Sequence, residues 1–255
     1  MTKESRIAIV TGASSGIGEA YARKLSSRNY DVTLISRNEN KLKGLADELN
    51  LFYGVSPVVL SANLATTEGL RRVGDYISQV GKIDGLVNSA GFGIHGYFSS
   101  VDLQKSLDMI ALHITAPTYL CKLVLPKMEN GGFIINISSV ASLIPSPGGV
   151  VYSATKSYLN EFSKSLQEEV REKGIDVQAL CPGFTHTNFH NTQEYNFQKP
   201  KIPDWLWMST EEVVNKSLEA LGNKKVIYVP GFKNRLLVKL MNTRLSSLTR
   251  KLKKS

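Results

Sequence analysis

Tyr152 and Lys156 stand four residues apart, and Ser139 lies thirteen residues before the tyrosine. On a helix, positions i and i+4 share a face, so an ammonium would lie beside a phenol. A free tyrosine, with a pKa of about 10, is a poor proton donor or acceptor at neutral pH. A neighbouring cation favours the phenolate and moves the group toward working pH, where proton transfer is most effective. A nearby serine hydroxyl can hold a carbonyl or alcohol oxygen against the phenol. The trio therefore predicts proton handling at a carbon–oxygen centre.

A second constellation is rich in glycine. Thr11-Gly12-Ala13-Ser14-Ser15-Gly16-Ile17-Gly18 follows the apolar run Ile7–Val10 and opens an amphipathic stretch. Glycines there permit a tight turn, close backbone approach to a pyrophosphate and close helix–strand packing. A helix starting at that point offers N–H groups and a favourable dipole to phosphates. At the end of the second apolar run, where a carboxylate would hold a ribose 2′-hydroxyl, the chain has Ser36 and then Arg37. A guanidinium suits the extra 2′-phosphate, so NADP(H) is expected rather than NAD.

Positioning these residues requires a scaffold, and the hydrophobic pattern supplies one. Strands are expected at 7–10, 31–36, 57–62, 83–89, 133–137, 175–180 and 226–229. Helices are expected at 16–28, 38–50, 66–80, 102–129 with a bend at Pro117, 151–173 and 210–221. Alternation of this kind predicts an α/β fold: a Rossmann-type, doubly wound parallel sheet of about seven strands with helices on both faces. Nearly continuous Val/Ile/Leu strands fit burial on both faces.

Five segments, in order and properly spaced, resemble the short-chain dehydrogenase/reductase family in its single-domain branch, over essentially the whole chain. They are the glycine motif at 11–18, Asn88-Ser89-Ala90-Gly91 in place of Asn-Asn-Ala-Gly, Ser138-Ser139, Tyr152-Ser153-Ala154-Thr155-Lys156, and Pro182-Gly183. Singly, a helix tyrosine packs, a lysine is solvated and a Ser-Ser pair makes a turn; the spaced set overrides those explanations. The resemblance implies Tyr152 as general acid in reduction and base in oxidation. It implies Lys156 as the group that lowers the phenol pKa and binds the nicotinamide ribose, and Ser139, ahead of its neighbour Ser138, as the group orienting substrate. It places the dinucleotide on Gly12, Ser14, Ser15, Gly16, Ile17, Gly18, Ser36, Arg37, Asn63, Leu64, Asn88, Ala90, Gly91, Tyr152, Lys156, Pro182 and Gly183. Thr185 and Thr187 would reach the nicotinamide amide and the phosphates. A dimer or tetramer formed through the two long helices is implied as well.

Two positions depart from the family. His113 occupies the place of an asparagine that holds a water in the proton path; it is counted with the catalytic residues, in a modified relay titrating near neutral pH, or else is a histidine simply tolerated within the helix. Asn63 replaces an aspartate beside the adenine, and its amide can still hydrogen-bond the ring.

Residues 1–232 are expected to form one catalytic domain, with a flap at 184–208 over the substrate. Six aromatics in that flap, Phe184, Phe189, Tyr195, Phe197, Trp205 and Trp207, predict a largely apolar pocket wall, or else packing of the flap on its own core or on a partner subunit. A hydrophobic ketone, aldehyde or acyl-type substrate follows from the first alternative. His186 and His190 lack an acidic third ligand, so no metal is expected.

The formal charge of +9 is not spread evenly. Residues 220–255 hold ten Lys or Arg and no acid, whereas residues 1–219 hold 21 basic and 22 acidic side chains. Nucleic-acid binding by the body therefore lacks electrostatic support. Leu237, Met241, Leu245, Leu248 and Leu252 recur at helical spacing among the cations, so 233–255 reads as a basic amphipathic helix, either on an anionic membrane or covering the substrate site or a subunit contact. The absence of 18 consecutive apolar residues argues against a spanning helix, and the N-terminus lacks the form of a signal peptide. Cys121 and Cys181, in separate apolar segments, fit reduced thiols and a cytoplasmic setting. The overall expectation is an NADP(H)-dependent oxidoreductase interconverting a carbonyl and an alcohol. The alternative is a dinucleotide-binding sensor on the same fold with vestigial catalysis.

Overall fold

The structure, a computed structural model, describes residues 6–187, 189, 203–223 and 225–241. Seven strands, β1 (Arg6–Thr11), β2 (Tyr30–Ser36), β3 (Val58–Ser61), β4 (Gly85–Asn88), β5 (Phe133–Ile137), β6 (Asp176–Leu180) and β7 (Ile227–Tyr228), form one sheet. The order is β3-β2-β1-β4-β5-β6-β7, and every pairing is parallel. The chain winds outward from β1 in one direction to β3 and, from β4, in the other to β7. The reversal lies between β1 and β4, and a ligand crevice is expected beyond the carboxyl ends of those two strands.

Alternation along each strand feeds two cores. Val10, Leu34 and Ile135 pack with Tyr21, Leu25, Leu42, Val213 and Leu218, contributed by α1 (Gly16–Ser26), α2 (Glu39–Tyr53) and α7 (Thr210–Ala220). Ile9, Ile35, Leu86 and Ile134 pack on the other face with Val73, Ile77, Leu120, Val124 and Leu166. Those come from α3 (Thr67–Gln79), α5 (Ala116–Val124) and α6 (Val150–Val170). Both faces are covered, which is why the strands carry so few polar residues.

The stretch expected as one helix at 102–129 is segmented. It runs as α4 (Leu103–Ile110), a π-helical turn (Ala111–Thr115), α5 and a 3₁₀ turn (Leu125–Lys127). Pro117 has no N–H to donate back to the carbonyl of residue 113, and the ladder slips so that the Ala116 amide reaches the Ala111 carbonyl. The disturbance thus lies one turn before the proline rather than at it. Leu103–Lys127 is nevertheless long and apolar enough to cross a bilayer by length and composition, contrary to the run-length expectation. Here it packs in the body, burying Met109, Leu120, Cys121 and Val124. A final helix, α8, covers 232–241, and the rest of the expected basic helix lies outside the described residues.

A buried polar chain sets the height of α6 on the sheet. Asn88 Nδ2 donates to Asn136 Oδ1 at 2.8 Å, and Asn136 Nδ2 donates to Ser163 Oγ at 2.9 Å. Hydrogen bonds of this kind, closed off from water, fix one arrangement among several that apolar packing alone would tolerate.

Candidate active site

The turn after β1 is built so tightly that only glycine fits. Gly12 has φ +67°, and a Cβ on it would stand 2.9 Å from the backbone of Ala90; a Cβ on Gly18 would stand 2.3 Å from the Gly12 carbonyl oxygen. Thr11 Oγ1 accepts the Ser89 and Ala90 amides at 2.9 and 3.0 Å, locking the ends of β1 and β4 together at the reversal point. Ser15, the N-cap of α1, makes no side-chain cap bond, so its hydroxyl does not occupy the first-turn donors. Gly16, at φ +60°, lies against Thr187, whose Cγ2 is 3.2 Å from where a Cβ would be. The glycine turn therefore meets both the end of β4 at Ala90 and the segment after β6 at Thr187.

On the far wall stands α6. Lys156 is buried, its Nζ donates to the Ile137 carbonyl at 2.8 Å, and Ser138 Oγ donates to the Lys156 carbonyl at 2.9 Å. These two bonds hold the helix to the end of β5. Burial pushes the Lys156 ammonium down from 10.5 to about 7. The Tyr152 ring lies between three groups: Lys156 Nζ at 5.7 Å from its centroid, the His113 ring at 5.9 Å and Phe189 at 5.8 Å.

Ser139, two residues beyond β5 in extended backbone, caps the 3₁₀ turn Val140–Ser142, its Oγ accepting the Ala141 amide at 3.1 Å. That turn is fastened to α6 through Ser142. Its hydroxyl bonds the Ser139 carbonyl and accepts from Asn160 Nδ2 at 2.7 Å, and its carbonyl accepts from Ser157 Oγ at 3.0 Å. The turn that Ser139 caps is thus fastened, through Ser142, to the helix that carries Tyr152. Ser142, Asn160 and Thr155 went unnoticed in the sequence because hydroxyl and amide side chains of ordinary type carry no spacing signal.

His113 sits at the centre of the π turn and is buried. Its Nε2 accepts the Phe92 amide at 3.2 Å, and its Nδ1 lies 3.0 Å from Thr155 Oγ1. Titration near neutral pH, expected from the sequence, does not survive this setting. Burial first, and the charge of Lys156 second, hold the imidazole pKa well below 6.5. The residue is a neutral imidazole with both nitrogens engaged.

The remaining predicted positions divide by exposure. Arg37 is exposed at the end of β2 and borders a shallow depression with Asn38, Glu39 and Asn40; Ser36 Oγ accepts the Asn38 amide at 3.2 Å. Asn63 Oδ1 accepts the Ala65 amide at 3.2 Å, leaving its NH₂ as the donor for a ring. Leu64 and Asn88 are buried, so what they offer a ligand is backbone. Pro182 accepts the Val140 amide at 3.0 Å, and Thr185 Oγ1 donates to the Gly183 carbonyl at 3.1 Å. Of the flap, Phe184 and His186 pack on Trp207, with centroids 5.5 and 4.9 Å away, whereas Phe189 meets Tyr152. Phe184 and Trp207 thus pack within the flap itself, while Phe189 lies beside Tyr152. Tyr195, Phe197 and His190 lie outside the described residues.

A parallel sheet with a glycine turn at its reversal point, facing a Tyr/Lys helix, defines a nicotinamide-dependent oxidoreductase scaffold. A family model described as short chain dehydrogenase matches residues 6–196. The chain is 38% identical over 202 residues to the very-long-chain 3-oxoacyl-CoA reductase of Anas platyrhynchos, covering 76% of this chain but only 64% of that protein. It is 31% identical over 260 residues to the inactive hydroxysteroid dehydrogenase-like protein 1 of Homo sapiens, covering 85% of this chain and 79% of the relative. A solved short-chain dehydrogenase from Sphingobium yanoikuyae in complex with NADPH superposes with TM-score 0.82 at 28% identity, over 96% of this chain and 95% of that one. The chain belongs to the short-chain dehydrogenase/reductase family. Its own residues fit a nicotinamide dinucleotide, since the positive-φ glycines at 12 and 16 leave the turn without side chains where a pyrophosphate must approach.

Proposed function

We propose that the protein is an NADPH-dependent reductase of a hydrophobic carbonyl compound, with Tyr152 delivering the proton. The observation that carries this is the buried Lys156 ammonium held beside the Tyr152 ring by the Ile137 carbonyl. A cation at that place, shielded from water, lowers the cost of leaving charge on the phenol oxygen. Ser139, on its fastened turn, orients the carbonyl oxygen. A nicotinamide cofactor held at the glycine turn would, when bound, supply the hydride. The Tyr152 proton then completes the alcohol, and Lys156 compensates the charge left behind.

Arg37, exposed just beyond β2, supports NADP(H) over NAD. Phe189 against Tyr152, together with the acyl substrate in the name of the duck relative, supports an acyl-chain or similarly apolar ketone. The catalytic domain is taken as 1–232 with 233–255 as an attached helix. Buried free thiols at Cys121 and Cys181 support a reducing, cytoplasmic setting. Exposed Leu103, Leu107 and Ile110, at i, i+4 and i+7 on α4, support pairing with a second copy.

The human relative's name favours a second reading, nucleotide binding without turnover. Tyr152→Phe separates the two. NADPH consumption on a panel of long-chain and bulky ketones should fall about 10²- to 10⁴-fold while NADPH binding persists. No turnover by the unaltered protein, with NADPH bound, would favour the sensor.

A further inference from the structure

The inner face of α8 is anchored. Asn234 is buried; its Nδ2 donates to the Pro230 carbonyl at 3.1 Å and to Met208 Sδ at 3.3 Å, and its Oδ1 lies 2.5 Å from where a Cβ on Gly183 would stand. With that arc inward, a turn of about 100° per residue places Phe232, Leu236 and Leu240 roughly opposite. They are 69%, 45% and 53% exposed. Arg235 and Lys239 flank this stripe on one side and Lys233 on the other. Lys233 Nζ lies 5.5 Å from the ring centre of Trp205, which is itself 59% exposed.

An outward apolar stripe framed by cations on both sides, next to an exposed indole, is the arrangement of a helix that lies in a bilayer interface. The apolar side chains enter the acyl boundary, the lysines and arginines reach back to the headgroups, and the indole sits between. Charge selects the occupant. Residues 220–255 carry ten cations and no acid, whereas the rest of the chain is close to neutral. An anionic surface is attracted to that end alone. Nucleic acid would satisfy the cations but leave the apolar stripe without a role.

We propose that α8 docks the protein on an anionic phospholipid bilayer, with Phe232, Leu236 and Leu240 inserted and Lys233, Arg235, Lys239 and Trp205 at headgroup level. The proposal stands independently of the reductase reading. The test is sedimentation of the full chain with vesicles of phosphatidylcholine, alone or with about 30 mol% phosphatidylserine. Binding is expected only with the anionic lipid, and it should weaken in about 1 M salt, where the Debye length is about 3 Å. The triple variant Phe232→Ser, Leu236→Ser, Leu240→Ser should bind about tenfold less or weaker still, with NADPH affinity unchanged. Leu236→Glu alone serves if the triple variant does not fold. Three results overturn the proposal: stripe variants that sediment like the parent, equal binding to duplex DNA that ignores the stripe, or stripe variants whose defect is loss of a dimer in light scattering.

Discussion

Gly91 carries no side chain because His113 carries one: a Cβ at 91 would lie 2.7 Å from the His113 Nε2. The imidazole reaches up from the π turn, takes the Phe92 amide and fills the space under the loop that follows β4. On its other side, Thr155 Oγ1 donates to the Tyr152 carbonyl at 2.8 Å, so the contact with His113 is made by a donated Nδ1–H. One neutral tautomer satisfies both partners and ties the dinucleotide loop to the helix of Tyr152.

Gly91→Ala should therefore destabilise by about 1–3 kcal/mol, through overpacking. In a His113→Asn background the shorter side chain leaves room, and the cost of the alanine should shrink. A double-mutant cycle on thermal unfolding measures the coupling, expected at about 1 kcal/mol. Additive effects would mean that the ring is not what excludes the Cβ.

Because His113 is already neutral, His113→Asn should leave the shape of the pH–rate profile between pH 6 and 8 unaltered. Turnover should drop, and more so for His113→Phe, which loses both hydrogen bonds; about 10²-fold is expected from misplacing Tyr152. A lost or displaced inflection near pH 6.5 in the asparagine variant would restore a titrating role.

Lys156 gives a stability signature. Its ammonium sits at about 7 in the folded protein and at 10.5 when unperturbed. Between those values the unfolded chain holds a proton that the folded chain has released, so stability from this group rises with pH across the window. The slope is at most about 1.4 kcal/mol per pH unit, and below pH 7 the full cost of the buried charge stands. Melting temperatures of Lys156→Met should show a flatter rise from pH 7 to 10 than the parent. Removing the donor to the Ile137 carbonyl offsets some of the gain, so the slope is the diagnostic; parallel curves would count against the shift.

Arg37→Asp should reverse or erase the cofactor preference. Losing a charged hydrogen bond to a 2′-phosphate costs about 1.5–3 kcal/mol, so kcat/KM with NADPH should fall at least about tenfold relative to NADH. An unchanged ratio would place the phosphate elsewhere.

Leu107→Glu tests the exposed face of α4. A charge in a paired apolar face should give a folded monomer in light scattering, with a melting temperature that no longer depends on protein concentration. A monomeric parent would dispose of that surface as an interface.

Much of this was legible because burial on both faces writes strands as Val/Ile/Leu runs: Phe133–Ile137 falls where expected, and the other six strands within a residue or two. The juxtaposition of Tyr152 and Lys156 was equally legible, since a spacing of four puts both on one helix face, and Lys156 Nζ lies 5.7 Å from the tyrosine ring centre. Hidden were contacts between distant residues of ordinary type, such as Ser142 with Asn160 and Gly183 with Asn234. Pro117 announced a disturbance in its helix, but not that the ladder would yield one turn earlier, at His113.

Asn234 pressed onto Gly183 makes α8 and the strand-end loop beneath it a single mechanical part. Truncations that cut into 232–241 should accordingly disturb the nicotinamide side of the crevice, whereas deletions starting beyond 241 spare that joint. Tags or fusion partners belong past it.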